Sequence, residues 1–172
     1  MKKKWVSGML ALLLVGTMMP TEAVQAEENS QGKTYYVDSE NGKDTNDGLS
    51  EGKAFQTLNK VNDLTLGAGD RVLLKNGSVF EDQALHIKGS GSENAPIKIS
   101  TYGDEKDGRP QINTNGHGQW ELNYGHKLDN QNHKWHGTVS SSILLKDVEY
   151  IEIEGLEITN DRDSATDAEK DK

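Results

Sequence analysis

The chain reads as all-β, the start of a parallel β-solenoid, and three observations predict this. A Tyr-Tyr-Val strand within Thr34 to Asp38 leads into a polar Gly/Asn/Asp loop and a short amphipathic turn. Short β-prone runs closed by Gly or Asn then recur, and Leu74, Ile87, Ile99 and Ile112 mark them at spacings of 13, 12 and 13. Apart from Asn76-Gly77 and Asp107-Gly108, the connections lack the two-residue turns that join antiparallel strands.

Residues 1–26 have the form of a secretory signal peptide. Lys2, Lys3 and Lys4 precede an apolar run from Met9 to Met19, and Val24-Gln25-Ala26 offers a cleavage site. That run falls short of the ~18 residues that span a bilayer, so export without a transmembrane anchor is expected. Residues 27–33 are polar and glycine-bearing, which predicts a flexible mature N-terminus with order beginning at Thr34.

After the first strand, SENGKDTNDGLSEGK concentrates turn formers, and Gly42 and Gly48 are expected at positive φ. Phe55, Leu58, Val61 and Leu64 recur every three residues between polar ones, predicting a short helix over 55–64 that Gly67 and Gly69 stop. Laid across the open end of a solenoid, it would cap the first apolar layer. The runs DRVLLKNG, ALHIKG, PIKISTYG and PQINTNG supply the following strands. Residues 113–139 break the rhythm as a polar insertion with two Trp, one Tyr and four of the five His. Strand returns at 142–160, where Ile151, Ile153, Leu156 and Ile158 should face inward with Glu152, Glu154 and Glu157 outward, and Gly155 marks a corner. Residues 161–172 form a charged tail of a composition that predicts disorder. One domain over 34–160 is the resulting organisation.

Composition excludes several classes. A formal net charge of −9 at pH 7, which becomes more negative when the basic leader is removed, is unsuited to neutralising nucleic-acid phosphates. The absence of cysteine removes both a disulfide framework and a lipid-modified thiol. Only 33% of residues are apolar, so the core should be thin.

TYYVDSENGKDTNDGLSEGKAFQTLNKV, GAGDRVLLKNGSVF and APIKISTYGDEKDGRPQI resemble the N-terminal segments of secreted right-handed parallel β-helix proteins of the pectate-lyase-like superfamily. VEYIEIEGLEITN resembles their strand-corner-strand repeat. The resemblance covers residues 34–112 and 142–160. It implies a polysaccharide partner and an extracellular polysaccharide lyase or glycoside hydrolase, with a non-catalytic surface or glycan-binding module as the other class. It also implies that catalysis sits on central coils, with calcium-binding carboxylates and a Lys or Arg base in lyases, or paired carboxylates in hydrolases. None of those residues aligns to a position here, so the catalytic residues stay unassigned. The two or three turns available predict the N-terminal portion of a longer protein, inactive alone.

Three candidate clusters remain. Asp44, Asn46 and Asp47 carry oxygen ligands suited to calcium, but without EF-hand spacing they read as an Asx-stabilised turn, and no cofactor or metal is assigned. His117, His126, His133 and His136 lack the companion ligands of a zinc motif and read as histidines of a polar insertion. Trp120, Tyr124 and Trp135 present flat faces suited either to stacking on sugar rings or to packing the insertion onto the solenoid wall. The outward Glu152, Glu154 and Glu157 form an acidic row of the residue type that glycosidases pair, but solvent-facing strand positions explain them more simply.

Overall fold

The computed structural model describes residues 32–123 and 136–160. The leader at 1–26, most of the segment 27–33, Tyr124, Trp135, His126, His133 and the tail at 161–172 lie outside them. The described residues form β1 (Thr34–Val37), α1 (Leu58–Asn62), β2 (Arg71–Lys75), β3 (Val79–Glu81), β4 (Leu85–Ile87), β5 (Ile97–Tyr102) and β6 (Gln111–Asn113). Then follow β7 (Gln119–Asn123), β8 (His136–Ser140), β9 (Ile143–Leu145), β10 (Ile151–Ile153) and β11 (Glu157–Thr159).

Three sheets are wholly parallel: β1-β2-β5-β10, β3-β6-β11 and β4-β9. The chain visits them in turn, since β2, β3 and β4 take one place in each, β5 and β6 return to the first two, and β9, β10 and β11 go round once more. This corrects the repeat read from sequence. Leu74 and Ile99 lie in the first sheet, Ile87 in the third and Ile112 in the second, so the recurrence of 12 to 13 compares different sheets rather than successive coils. The coil itself is longer: Arg71 pairs with Lys98, 27 positions on (71 to 98).

Register explains the core. Val72 stands opposite Ile99, and Ile99 opposite Ile153; Phe80 stands opposite Ile112, and Ile112 opposite Ile158. Each column stacks aliphatic or aromatic side chains, and burying each contributes roughly 1.5–3 kcal/mol. Leu74, Ile87, Ile99 and Ile112 are fully buried as expected, whereas Ile151, Ile153 and Leu156 are half-buried against the cluster. Ile158 departs from expectation: it occupies the Phe80 column yet is 47% exposed, because β11 is the edge of its sheet among the described residues.

The predicted helix is shorter than 55–64. Asp44 Oδ1 accepts from the N–H groups of Gln56 and Thr57, and Asp44 Oδ2 from the Thr57 hydroxyl, so this stretch is held extended and α1 begins only at Leu58. Phe55 instead bridges Val37 in parallel. Leu58 and Val61 still enter the core, and Asn62 reaches β4, donating to Ala84 O at 2.9 Å and accepting from His86 N at 2.7 Å.

Gly48 takes positive φ (73°), but Gly42 does not. Gly42 is needed because an added Cβ would lie 2.1 Å from Phe55 O, which is backbone with no room to yield. Gly155, at φ 77°, forms the expected corner between β10 and β11. Order begins before β1, since Lys33 N donates to Asp70 Oδ1 at 2.7 Å. The polar insertion contains regular structure the sequence did not suggest, the antiparallel pair β7–β8.

Candidate carbohydrate-contact site

Trp120 lies on β7, opposite Val139 of β8. On β4, Leu85 and Ile87 turn into the core, so strand alternation turns His86 outward. The Trp120 ring meets that His86 imidazole edge-on at 5.2 Å, and its Nε1 donates to Ser141 O at 3.0 Å. Burial, followed by the charges of Lys88 and Lys146, holds the His86 pKa below its ordinary value. Trp120 therefore pins the hairpin to the outer face of the third sheet, and its half-buried ring leaves part of one surface open. Tyr124 and Trp135, its proposed companions, lie outside the described residues.

The other sequence candidates resolve into local structure. Asp44 holds the approach to α1, Asn46 Nδ2 donates to Ala54 O at 2.9 Å, and Asp47 Oδ1 accepts from Leu49 N at 3.0 Å. These are turn-forming contacts, and no group of three His, Cys, Asp or Glu suited to a metal occurs among the described residues. His117 is exposed, and His136 opens β8. Each glutamate of the outward row engages the preceding strand: Glu152 pairs with Lys98 at 2.6 Å, Glu154 accepts from Ser100 Oγ at 3.3 Å and Glu157 from Gln111 Nε2 at 3.2 Å.

One cluster escaped sequence reasoning. On the outer face of the first sheet, Tyr36 and Tyr102 meet edge to face at 5.1 Å beside the outward but buried Leu73. Next to them the Lys75 ammonium lies 2.9 Å from the buried Asp38 carboxylate. Burial pushes the Asp38 pKa up, but hydrogen bonds from the Asn41 and Glu40 N–H groups, the Lys75 ammonium and the Asn41 side chain outweigh it and leave a net lowering. The Lys75 pKa rises in return. Burial, then Asp38, Glu51 and Tyr36, push the Tyr102 hydroxyl up to about 12, so it remains a donor. A polar cleft of about 340 Å3 opens beside Asp38, Lys75 and Asn76, and a second of about 370 Å3 between Asn76, Thr101 and Arg109. The signal in sequence was the alternation of β1, which sends Tyr36 outward; its partner Tyr102 comes from β5, two places along the same sheet with β2 between them.

A buried brace closes the corner after β6. The Thr114 hydroxyl lies 3.1 Å from Ser142 Oγ and bonds Asn160 Oδ1, while Ser142 Oγ donates to Thr159 O at 2.6 Å. Asn115, at φ 48°, donates to Glu81 Oε2 and Asp82 Oδ1, tying these two neighbouring carboxylates together on this corner.

No protein-family model matches the chain. It is 48% identical over 161 residues to a lacto-N-biosidase of Bifidobacterium longum subsp. longum, an alignment covering 88% of this chain and 10% of that protein. Among solved structures it is similar to the GH136 lacto-N-biosidase of Eubacterium ramulus, with 47% identity, a TM-score of 0.64 and coverage of 74% of this chain and 20% of that one. A rhamnogalacturonan lyase matches at 22% identity and a TM-score of 0.50 over 74% of this chain and 28% of that one, a likeness of fold alone. The chain thus spans about a tenth of the curated relative and a fifth of the solved one.

Proposed function

We propose that these residues are the first coils of a right-handed parallel β-helix, with α1 as its N-terminal cap, in a longer, exported glycoside hydrolase that removes lacto-N-biose units from glycans. The observation that carries this reading is the 47–48% identity to two lacto-N-biosidases across most of the chain. The lyase likeness speaks only to fold, so hydrolysis is preferred to elimination. Three parallel sheets visited in strict rotation support the helical winding, and right-handed crossover is the rule for parallel connections.

Within this reading the described coils support the enzyme rather than perform the reaction. Glycoside hydrolysis needs two carboxyl groups flanking the scissile bond, about 5–5.5 Å apart for retention or ~6.5–9.5 Å for inversion. Here the outward glutamates are occupied by Lys98, Ser100 and Gln111, and Glu81 and Asp82 by Asn115. The test compares the purified 172-residue chain with the longer gene product on a chromogenic lacto-N-bioside. Turnover by the longer protein and none by the chain is expected. Turnover by neither, with binding retained, would favour a glycan-binding module; turnover by the chain would place a catalytic pair within it.

A further inference from the structure

The polar cleft beside Asp38 lies where the chain leaves β1 and β2 and where the loop after β5 returns, and backbone contacts fix its walls. Asn76 N donates to Tyr102 O and Gly77 N to Gly108 O, which holds the corner after β2 against that loop. Gly77, at φ 81°, lets the loop come close, since an added Cβ would lie 3.2 Å from both Asp107 Cβ and Asp107 O. After β1, the Asp38 carboxylate gathers the Glu40 and Asn41 N–H groups, and Ser39 N donates to Ser78 Oγ at 3.3 Å. The cleft is thus preorganised, which lowers the cost of binding.

Two side chains that line it are more than nine-tenths buried and keep hydrogen-bonding capacity in hand. Asn76, 8% exposed, donates from Nδ2 to Gly103 O at 3.3 Å, while its Oδ1 accepts from no described group. Ser78, 2% exposed, accepts from Ser39 N, while its own O–H donates to no described group. Buried polar groups ordinarily have partners, so spare capacity facing a cleft marks where one is received. The Lys75 ammonium spends one of its three donors on Asp38. Tyr102 stands opposite Lys75 in register, half-buried and edge-to-face with Tyr36, so an aromatic surface borders the polar one.

We propose that this cleft binds one neutral, hydroxyl-rich sugar unit, with its hydroxyls on Asn76 Oδ1, the Ser78 hydroxyl and the Lys75 ammonium and an apolar C–H face against Tyr102. Its volume of about 340 Å3 lies at the lower end of the ~300–1,000 Å3 range of small-molecule sites, which suits a single ring. Mixed donors and acceptors beside an aromatic face match the alternating hydroxyl and C–H surfaces of a pyranose. Charge selects against acidic ligands. The lining sets the carboxylates of Asp38, Glu40 and Asp107 against the one ammonium of Lys75, and Asp38 is already paired with it, so a uronate or phosphate meets the unpaired Glu40 and Asp107. The inference stands on this cleft and not on the hydrolysis proposed above.

The test is an amide NMR titration of the full 172-residue chain with the methyl β-glycosides of glucose and galactose, each beside its uronate counterpart, and with calcium chloride. At least one neutral glycoside should shift the amides of Asn76, Gly77 and Ser78 saturably, with a Kd of about 1–10 mM, and its uronate should bind about tenfold more weakly. Tyr102→Leu, which keeps an outward apolar side chain but removes the ring, should weaken the glycoside about tenfold. Glu40→Gln/Asp107→Asn should bring the uronate to within about threefold of the neutral glycoside, a change that a merely structural role of these exposed carboxylates would not produce. Absence of saturable shifts with both glycosides, equal affinity for the uronates in the unaltered chain, or shifts driven by calcium chloride and not by a glycoside would overturn it. A spectrum without the dispersion of paired strands would do the same, since the cleft exists only where β1, β2 and β5 are formed.

Discussion

At the residue scale, Trp120 and Asp38 show how an exposed-looking side chain can be structural. Trp120 joins His86 and the Ser141 carbonyl, so replacing it with Ala should lower stability by about 2 kcal/mol, half the cost of removing a fully buried Trp. Urea denaturation measures this, and glycan retention per folded molecule should not change; a loss of retention at unchanged stability would instead make the indole a sugar platform. Asp38 has a pKa lowered on folding, so its contribution is present above the unfolded carboxylate range and is lost as pH falls through the lower folded value. Asp38→Asn should therefore flatten the acid limb of the stability-versus-pH curve below about pH 4, while costing about 1–3 kcal/mol at neutral pH through the weakened Lys75 contact. A wild-type curve with no slope between pH 4 and 2 would contradict this.

At the element scale, the loop between β1 and α1 acts as a clamp, and three substitutions separate its parts. Asp44→Ala removes the acceptor for two backbone N–H groups and a hydroxyl and should cost about 1–2 kcal/mol, in the range of a lost helix cap. Gly42→Ala places a methyl against the Phe55 carbonyl and should cost more than ~2 kcal/mol, whereas Gly52→Ala, with nothing within 4 Å of the new methyl, should be close to neutral. Thermal unfolding of the three variants side by side checks the order. Equal shifts for Gly42→Ala and Gly52→Ala would show that the close approach is relieved by loop movement.

Across the whole molecule, stability comes from columns of side chains contributed by strands far apart in sequence. Phe80 is fully buried and stacks on Ile112, so Phe80→Ala should cost about 3–5 kcal/mol, a large part of the ~5–15 kcal/mol that holds an ordinary domain folded. Far-ultraviolet circular dichroism and denaturant midpoints read this directly. A smaller loss is expected for Ile158→Ala, in the same column but exposed, of about 1 kcal/mol or less.

Much of this was legible in the chain itself. The Tyr-Tyr-Val strand, the inward positions at Leu74, Ile87, Ile99 and Ile112, the Gly155 corner and the turn role of Asp44, Asn46 and Asp47 all follow from local chemistry: alternation, propensity and hydrogen bonds within a few residues. Only the tertiary structure decided which strand lies beside which. Local spacing counts residues from sheet to sheet, whereas pairing joins Arg71 to Lys98 and Ile99 to Ile153 across whole coils. The same long-range register brought Tyr36 to Tyr102, Lys75 to Asp38 and His86 to Trp120. No local pattern encodes those contacts, because each is made by two side chains that become neighbours only after the chain has wound round the core.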